Sequence, residues 1–185
     1  MQAVVFNGSM ETGAHSVGNV ISEYIKSDLK TRNIKTEIFE AGKSEIPLLH
    51  PEKMRNVPAE VKKMCELMQK TEVHFWLSPL YHGSIPGIMK NCLDWLEITS
   101  KSSTPYLTDK IVCLVCWADG SHALNGIQTM TTIAHSLRAW TLPYNVAVST
   151  AFLYESNSRD EISTYYKEKI NRLIELAVSR KIEMR

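Results

Sequence analysis

The chain has no excess of charge of either sign: 21 Lys and Arg stand against 20 Asp and Glu in 185 residues, a formal net charge of +1. With the basic residues spread along the sequence, no electrostatic footprint marks a nucleic-acid or an anionic-membrane partner. It also lacks a transmembrane run and a signal-length apolar core behind a charged start. Met1-Gln2-Ala3-Val4-Val5 enters a strand directly, and a cytoplasmic location is the expectation. Cysteine is scarce. Cys65, Cys92, Cys113 and Cys116 are too few and too scattered for a disulfide framework at this length, so reduced thiols are expected. Cys113-Leu114-Val115-Cys116 has the spacing of a redox pair but sits inside the strand-like Ile111-Val112-Cys113-Leu114-Val115-Cys116-Trp117. Side chains alternate faces along a strand, which points the two sulfurs apart and predicts a core role for both. His15, His74, His82, His122 and His135 match no zinc spacing, and no metal site is expected. Linkers, internal repeats and low-complexity tracts are missing too.

What is present is a hydrophobic fraction of 44%, enough to fill a substantial core, and residues 1–185 read as a single domain. Ala3-Val4-Val5-Phe6 forms a first strand, and Val17, Val20, Ile21, Tyr24 and Ile25 share one face of a first helix. Further strands are predicted at 35–39, 73–77, 110–117 and 145–148, with helices at 58–68, 87–97 and 124–139. Ser158-Arg159-Asp160-Glu161 resembles a capping box before a stripe of Ile162, Tyr166, Ile170, Leu173, Ile174 and Ala177, which predicts a closing helix. The stretches 41–56 and 99–106 read as loops. Strand and helix alternate throughout, so the class is α/β.

Two loops carry the chemistry. After the first strand comes Asn7-Gly8-Ser9-Met10-Glu11-Thr12-Gly13-Ala14-His15-Ser16, where small residues let backbone N–H groups converge on an anion and the next helix aims its positive dipole end at the same place. After the third strand comes Ser78-Pro79-Leu80-Tyr81-His82-Gly83-Ser84-Ile85-Pro86, whose proline and glycine punctuation stops regular structure. Ile88, Met89, Cys92, Leu93 and Leu96 then recur at helical spacing. The loop is thus held between a strand end and a helix start, where open α/β sheets bind ligands. A third short loop, Ala118-Asp119-Gly120-Ser121-His122, follows the fourth strand.

The second loop and its helix resemble the flavin loop of NAD(P)H-dependent FMN reductases. Pro79, Tyr81, Gly83, Ser84, Pro86, Lys90, Asn91, Asp94 and Trp95 fit that pattern. Leu80 stands where the family commonly has glutamate, and His82 where it often has asparagine. In the first loop, Gly8-Ser9 fits, while Glu11 occupies the usual arginine position. A carboxylate there repels a phosphate unless it turns to solvent, which shifts binding onto His15, Ser16 and backbone donors.

The resemblance, which covers most of the chain, implies a flavodoxin-like three-layer sandwich: a five-stranded parallel sheet in order 2-1-3-4-5 with helices on both faces. Right-handed crossovers then bring the three loops to one rim, so that Ser9, Tyr81 and Gly120 converge. It implies FMN as cofactor, held by Ser9, His15, Ser16, Val17, Pro79, Leu80, Tyr81, His82, Gly83, Ala118, Asp119, Gly120 and Ser121. NADPH or NADH is the implied hydride donor and a small molecule such as free flavin, a quinone or an azo compound the electron acceptor, with no catalytic acid, base or nucleophile required. It also implies a homodimer or homotetramer, because the helix holding Lys90 and Asp94 commonly joins subunits in the family. Trp95 is expected to pack, and Lys90 and Asp94 to pair. Two alternatives stay open from the residues: an electron carrier, for which Thr12-Gly13 speaks, and a flavin-free structural or regulatory member, which Glu11 and Leu80 permit.

Overall fold

Strands that are apolar on both faces have to lie between two helical layers, and three strands of this chain are of that kind. The computed structural model describes residues 1–155 and 161–179. Strands β1 (Gln2–Asn7), β3 (Val73–Pro79) and β4 (Ile111–Ala118) occupy the centre of a parallel sheet, with β2 (Lys35–Glu40) at one edge and β5 (Trp140–Thr141) and β6 (Val146–Ser149) at the other. The order is β2-β1-β3-β4-β5, and β6 also pairs with β4. This is the doubly wound order expected for a flavodoxin-like sheet.

The fifth position differs from expectation. One last strand at 145–148 is predicted, whereas β5 pairs with Ile111 and Val112 and β6 pairs with Val115 to Ala118, so two pieces share the position. Leu142-Pro143-Tyr144-Asn145 separates them, and Pro143 has no N–H to give to the ladder.

Helices α1 (Val17–Thr31) and α6 (Thr164–Ser179) cover one face; α3 (Ala59–Lys70), α4 (Gly87–Asp94) and α5 (Ala123–Ser136) cover the other, and α2 (Pro51–Arg55) is a short turn of helix before α3. Strand alternation splits the core accordingly. Ala3, Val5, Phe75, Leu77, Cys113 and Val115 pack with Ile21, Ile25, Leu29, Ile170, Leu173 and Ile174. Val4, Phe6, Trp76, Val112, Leu114 and Cys116 pack with Val61, Met64, Met89, Leu93 and Met130. Each fully buried large apolar side chain contributes roughly 1.5–3 kcal/mol, so these two layers dominate stability. Cys113 and Cys116 fall on opposite faces, and the four cysteines are buried and unbridged.

The stretch 41–56 is more ordered than its prolines suggest. It holds a 3-10 turn at Ala41–Lys43 and then α2, and it is pinned from α4. Asn91 Nδ2 and Trp95 Nε1 both donate to the Pro47 carbonyl, at 3.0 and 2.7 Å, and Leu49 N–H donates to Asn91 Oδ1 at 2.8 Å. The Lys-Asn-x-x-Asp-Trp segment therefore serves as a clamp for this loop, with Trp95 fully buried and Lys90 paired to Asp94. At the carboxyl end, Ser158, Arg159 and Asp160 of the expected capping box lie outside the described residues. Ile162 is buried but precedes α6, bridging to Tyr154 instead of joining the helical stripe. Among the described residues, no helix is long and apolar enough to cross a membrane.

Candidate functional site

Parallel strands deliver all their carboxyl ends to one rim, and the loops after β1, β3, β4 and β6 meet there. The first loop is held by two carboxamides. Asn7 closes β1 almost fully buried; its Oδ1 accepts from Ser9 N–H at 3.1 Å, and its Nδ2 donates to Asn19 Oδ1 at 3.0 Å. Asn19 Nδ2 donates in turn to the Thr12 and Gly13 carbonyls, at 3.1 and 2.8 Å. Helix α1 crosses Asn7 at Gly18, where a Cβ would stand 2.5 Å from Asn7 Oδ1, so only glycine permits the approach. Ser16 is the N-cap of α1, its Oγ accepting from Asn19 N–H at 3.4 Å and donating to the Glu11 carbonyl at 3.4 Å. Ser9 Oγ accepts from Glu11 N–H at 3.0 Å. Among the described residues, the N–H groups of Thr12, Gly13, Ala14, His15 and Val17 have no protein acceptor.

The second loop begins as a continuation of the sheet. Leu80 N–H donates to the Trp117 carbonyl at 2.9 Å, and the buried Ser78 Oγ donates to the Pro79 carbonyl at 2.8 Å. The chain then reverses in a two-residue turn closed by Tyr81 N–H to Ser84 O, 2.8 Å, and Ser84 N–H to Tyr81 O, 3.0 Å. Both central residues have positive φ, 50° at His82 and 83° at Gly83, the signature of a type I′ hairpin turn. A Cβ at Gly83 would meet nothing within 4 Å. Glycine suits the backbone conformation of the turn, and no protein group crowds it. The third loop is tied to the segment after β6 by Thr150 Oγ1, which donates to Asp119 Oδ1 at 2.7 Å.

Between these loops lies an open cleft of about 520 Å³. Glu11 and Val17 line it from the first loop, Pro79, Leu80 and Tyr81 from the second, and Trp117, Ala118 and Asp119 from the end of β4 and the third loop. Thr150, Ala151 and Tyr154 close it from the segment after β6. Of the residues singled out by sequence, Val17, Pro79, Leu80, Tyr81, Ala118 and Asp119 thus share one cavity. Ser9 is buried within the first loop and Ser16 caps α1, while His15, His82, Gly83, Gly120 and Ser121 are outside the lining. Trp117, Thr150, Ala151 and Tyr154 were not foreseen. The signal for the last three was available, since a parallel fifth strand must send its following loop to the same rim.

Among the described residues no Lys or Arg lines the cleft, which carries the carboxylates of Glu11 and Asp119. Beside the cleft stand neutral donors of the kind an anion needs: unsatisfied N–H groups in the first loop, whose residues 12–15 are outside the lining, and the amino end of the 15-residue α1, whose first residue, Val17, opens on the cleft. That donor set, next to apolar walls of Val17, Leu80, Tyr81 and Trp117, fits FMN, with the Glu11 carboxylate opposed to the phosphate. Strongly shifted groups lie elsewhere. His74 is wholly buried in β3, where desolvation pulls its imidazole down to about 4 against a hydrogen bond to Thr71, and the ring is neutral at pH 7. Burial pushes the Cys65, Cys92 and Cys116 thiols up to about 12 and raises Cys113 as well, which leaves none poised as a nucleophile.

The sequence model of the NADPH-dependent FMN reductase family matches residues 1–152. The chain is 26% identical over 178 residues to the NADPH-dependent FMN reductase ArsH of Rhizobium meliloti (strain 1021), a match covering 94% of this chain and 69% of that protein. It is 27% identical over 172 residues to the FMN-dependent NADPH-azoreductase of Staphylococcus aureus (strain USA300), covering 90% and 84%. Two further ArsH proteins match over 52% and 51% of their own length, so the chain spans about half of those relatives. Among solved structures, the flavoenzyme NAD(P)H:(acceptor) oxidoreductase FerB from Paracoccus denitrificans superposes with a TM-score of 0.71 at 15% identity, covering 94% of this chain and 95% of that one. A flavodoxin-like fold with an open cleft at the carboxyl rim of its sheet, together with the family match, defines the class, an FMN-dependent oxidoreductase that draws on NAD(P)H. The chain belongs to the NADPH-dependent FMN reductase family.

Proposed function

We propose that residues 1–185 act as one FMN-binding domain that passes electrons from NAD(P)H to a small-molecule acceptor: free flavin, a quinone or an azo compound. The observation that carries this reading is the cleft itself, where the loops after β1, β3, β4 and β6 meet at the amino end of α1. When bound, FMN supplies the chemistry, accepting hydride from NAD(P)H and returning two electrons to the acceptor. The chain's residues bind and orient it. N–H groups of the first loop and the first turn of α1 hold the phosphate. Leu80 and Tyr81 from the second loop, with Trp117, Ala118 and Asp119 from the end of β4 and the third loop, would hold the ring. The type I′ turn fixes the path of the second loop so that its backbone presents one constant edge. Thr150 holds Asp119 in place, so neither group is assigned proton transfer.

Ser9 and Ser16 support the first loop from within, while His15, His82, Gly83, Gly120 and Ser121 border the entrance. We also propose a homodimer or homotetramer. Met10, Tyr81, Leu124 and Phe152 are exposed on or beside the rim loops, a density of apolar side chains that a second subunit would cover. Steady oxidation of NAD(P)H by the FMN-loaded protein on addition of a quinone tests the enzymatic reading. Tight FMN without turnover would make the chain an electron carrier instead, and sedimentation as a monomer would remove the oligomer.

A further inference from the structure

The N–H groups of the first loop can hold a phosphate only if something keeps its carbonyls turned the other way, and at Thr12 and Gly13 one side chain holds both. Asn19 Nδ2 donates to the carbonyls of both Thr12 and Gly13, at 3.1 and 2.8 Å. Its carboxamide cannot be reversed, because Oδ1 faces the Nδ2 of Asn7, whose own Oδ1 is fixed by Ser9 N–H. Gly18 lets α1 rest directly on Asn7, and Asn19 is thereby carried to the loop on the first turn of the helix.

Peptide planarity does the rest. No peptide among the described residues is cis, so each N–H is antiparallel to the carbonyl of the same unit. Pulling the Thr12 and Gly13 carbonyls toward Asn19 turns the N–H groups of Gly13 and Ala14 away from it, side by side. Neither has a protein acceptor among the described residues. Two successive N–H groups left without a protein acceptor, just before the amino end of α1, are available to an anion. The Gly13 carbonyl also accepts from Ser16 N–H at 2.9 Å, which ties the same turn to the helix cap.

We propose that Asn19 is a positioning residue for flavin phosphate recognition: it touches no ligand and acts by aiming the N–H groups of Gly13 and Ala14. This inference rests on the reading of the first loop as the phosphate site. It also accounts for how a loop with Glu11 and no Lys or Arg holds an anion, since backbone donors fixed in advance lose little entropy on binding.

The test compares FMN with riboflavin, which lacks the phosphate, by flavin fluorescence titration of the full chain and of Asn19→Ala and Asn19→Asp. The unsubstituted chain should prefer FMN. Asn19→Ala should weaken FMN about tenfold or more while leaving riboflavin within about twofold. Asn19→Asp, equal in size but with an acceptor facing two carbonyls, should fail to restore FMN affinity. Loss of both flavins in equal measure, an unchanged preference for FMN, or an aspartate variant that binds FMN normally would each overturn the proposal. Equal affinity of the unsubstituted chain for both flavins would overturn the phosphate-loop reading and this proposal with it, before any variant is made. A second measurement needs no variant to fold: on titrating the isotopically labelled chain with inorganic phosphate, the amide resonances of Gly13 and Ala14 should move most. Movement confined to other amides would refute the assignment.

Discussion

Gly83→Val separates backbone geometry from crowding in the second loop. The glycine has φ of 83°, next to His82 at 50°, and nothing lies within 4 Å of where its Cβ would be. Valine meets no steric wall there, yet a β-branched residue held at positive φ costs about 1–3 kcal/mol. The two hydrogen bonds between Tyr81 and Ser84 are the only closure of the turn among the described residues, and a net bond of this kind contributes about 1 kcal/mol. The strain is therefore comparable to the roughly 2 kcal/mol from the two bonds, and at its upper end the loop should leave its hairpin form for most of the time. If FMN binds only that form, its affinity falls by the share of hairpin lost, up to roughly sixfold at the upper end of the strain. The melting temperature should change little, because the turn is exposed and packs on no core residue. Gly83→Asn is the companion variant. Asparagine tolerates positive φ far better, so its loss should be smaller than that of valine although it is of similar bulk. Fluorescence titration with FMN measures both. An unchanged dissociation constant for Gly83→Val, or equal losses for valine and asparagine, would refute the argument.

Glu11→Arg should tighten FMN binding about tenfold, since it exchanges a carboxylate on the cleft wall for a cation; an unchanged constant in calorimetry would show that the side chain points away from the phosphate. His74 gives a pH dependence with a definite sign. Its folded value of about 4 lies below the usual 6.5, so the unfolded chain binds more protons between those values, and stability should fall as pH drops through that window, by on the order of 3 kcal/mol in full. Denaturant unfolding at pH 7 and pH 4.5 should show the loss, and His74→Leu should flatten it; an equal slope in the variant would contradict the assignment. The four buried thiols should react slowly with an aromatic disulfide reagent in the native protein and at once in denaturant, whereas rapid native modification would contradict their burial.

The central strands were readable because they are continuous apolar runs, and the strand order came with the resemblance to a flavodoxin-like family. The division of the fifth strand was not, since Trp140 and Thr141 form too short a piece to register as a strand and Pro143 marks a break only after both flanks are seen to pair with β4. In the site, Tyr81, Leu80 and Asp119 were found from loop residues beside strand ends. Asn7 and Asn19 were missed because they act through carboxamide contacts spanning 12 positions, which no local pattern encodes. For Gly83 the sequence shows that glycine is present, while only φ shows that the turn calls for it.

The most direct test of the account is an anaerobic spectrum of the purified chain after incubation with FMN and removal of the excess. The account predicts a yellow protein with flavin retained near one per chain, whose visible absorption bleaches on addition of NAD(P)H and returns when a quinone is admitted. A colourless protein after removal of excess FMN, or a bound flavin that NAD(P)H leaves oxidised, would contradict it.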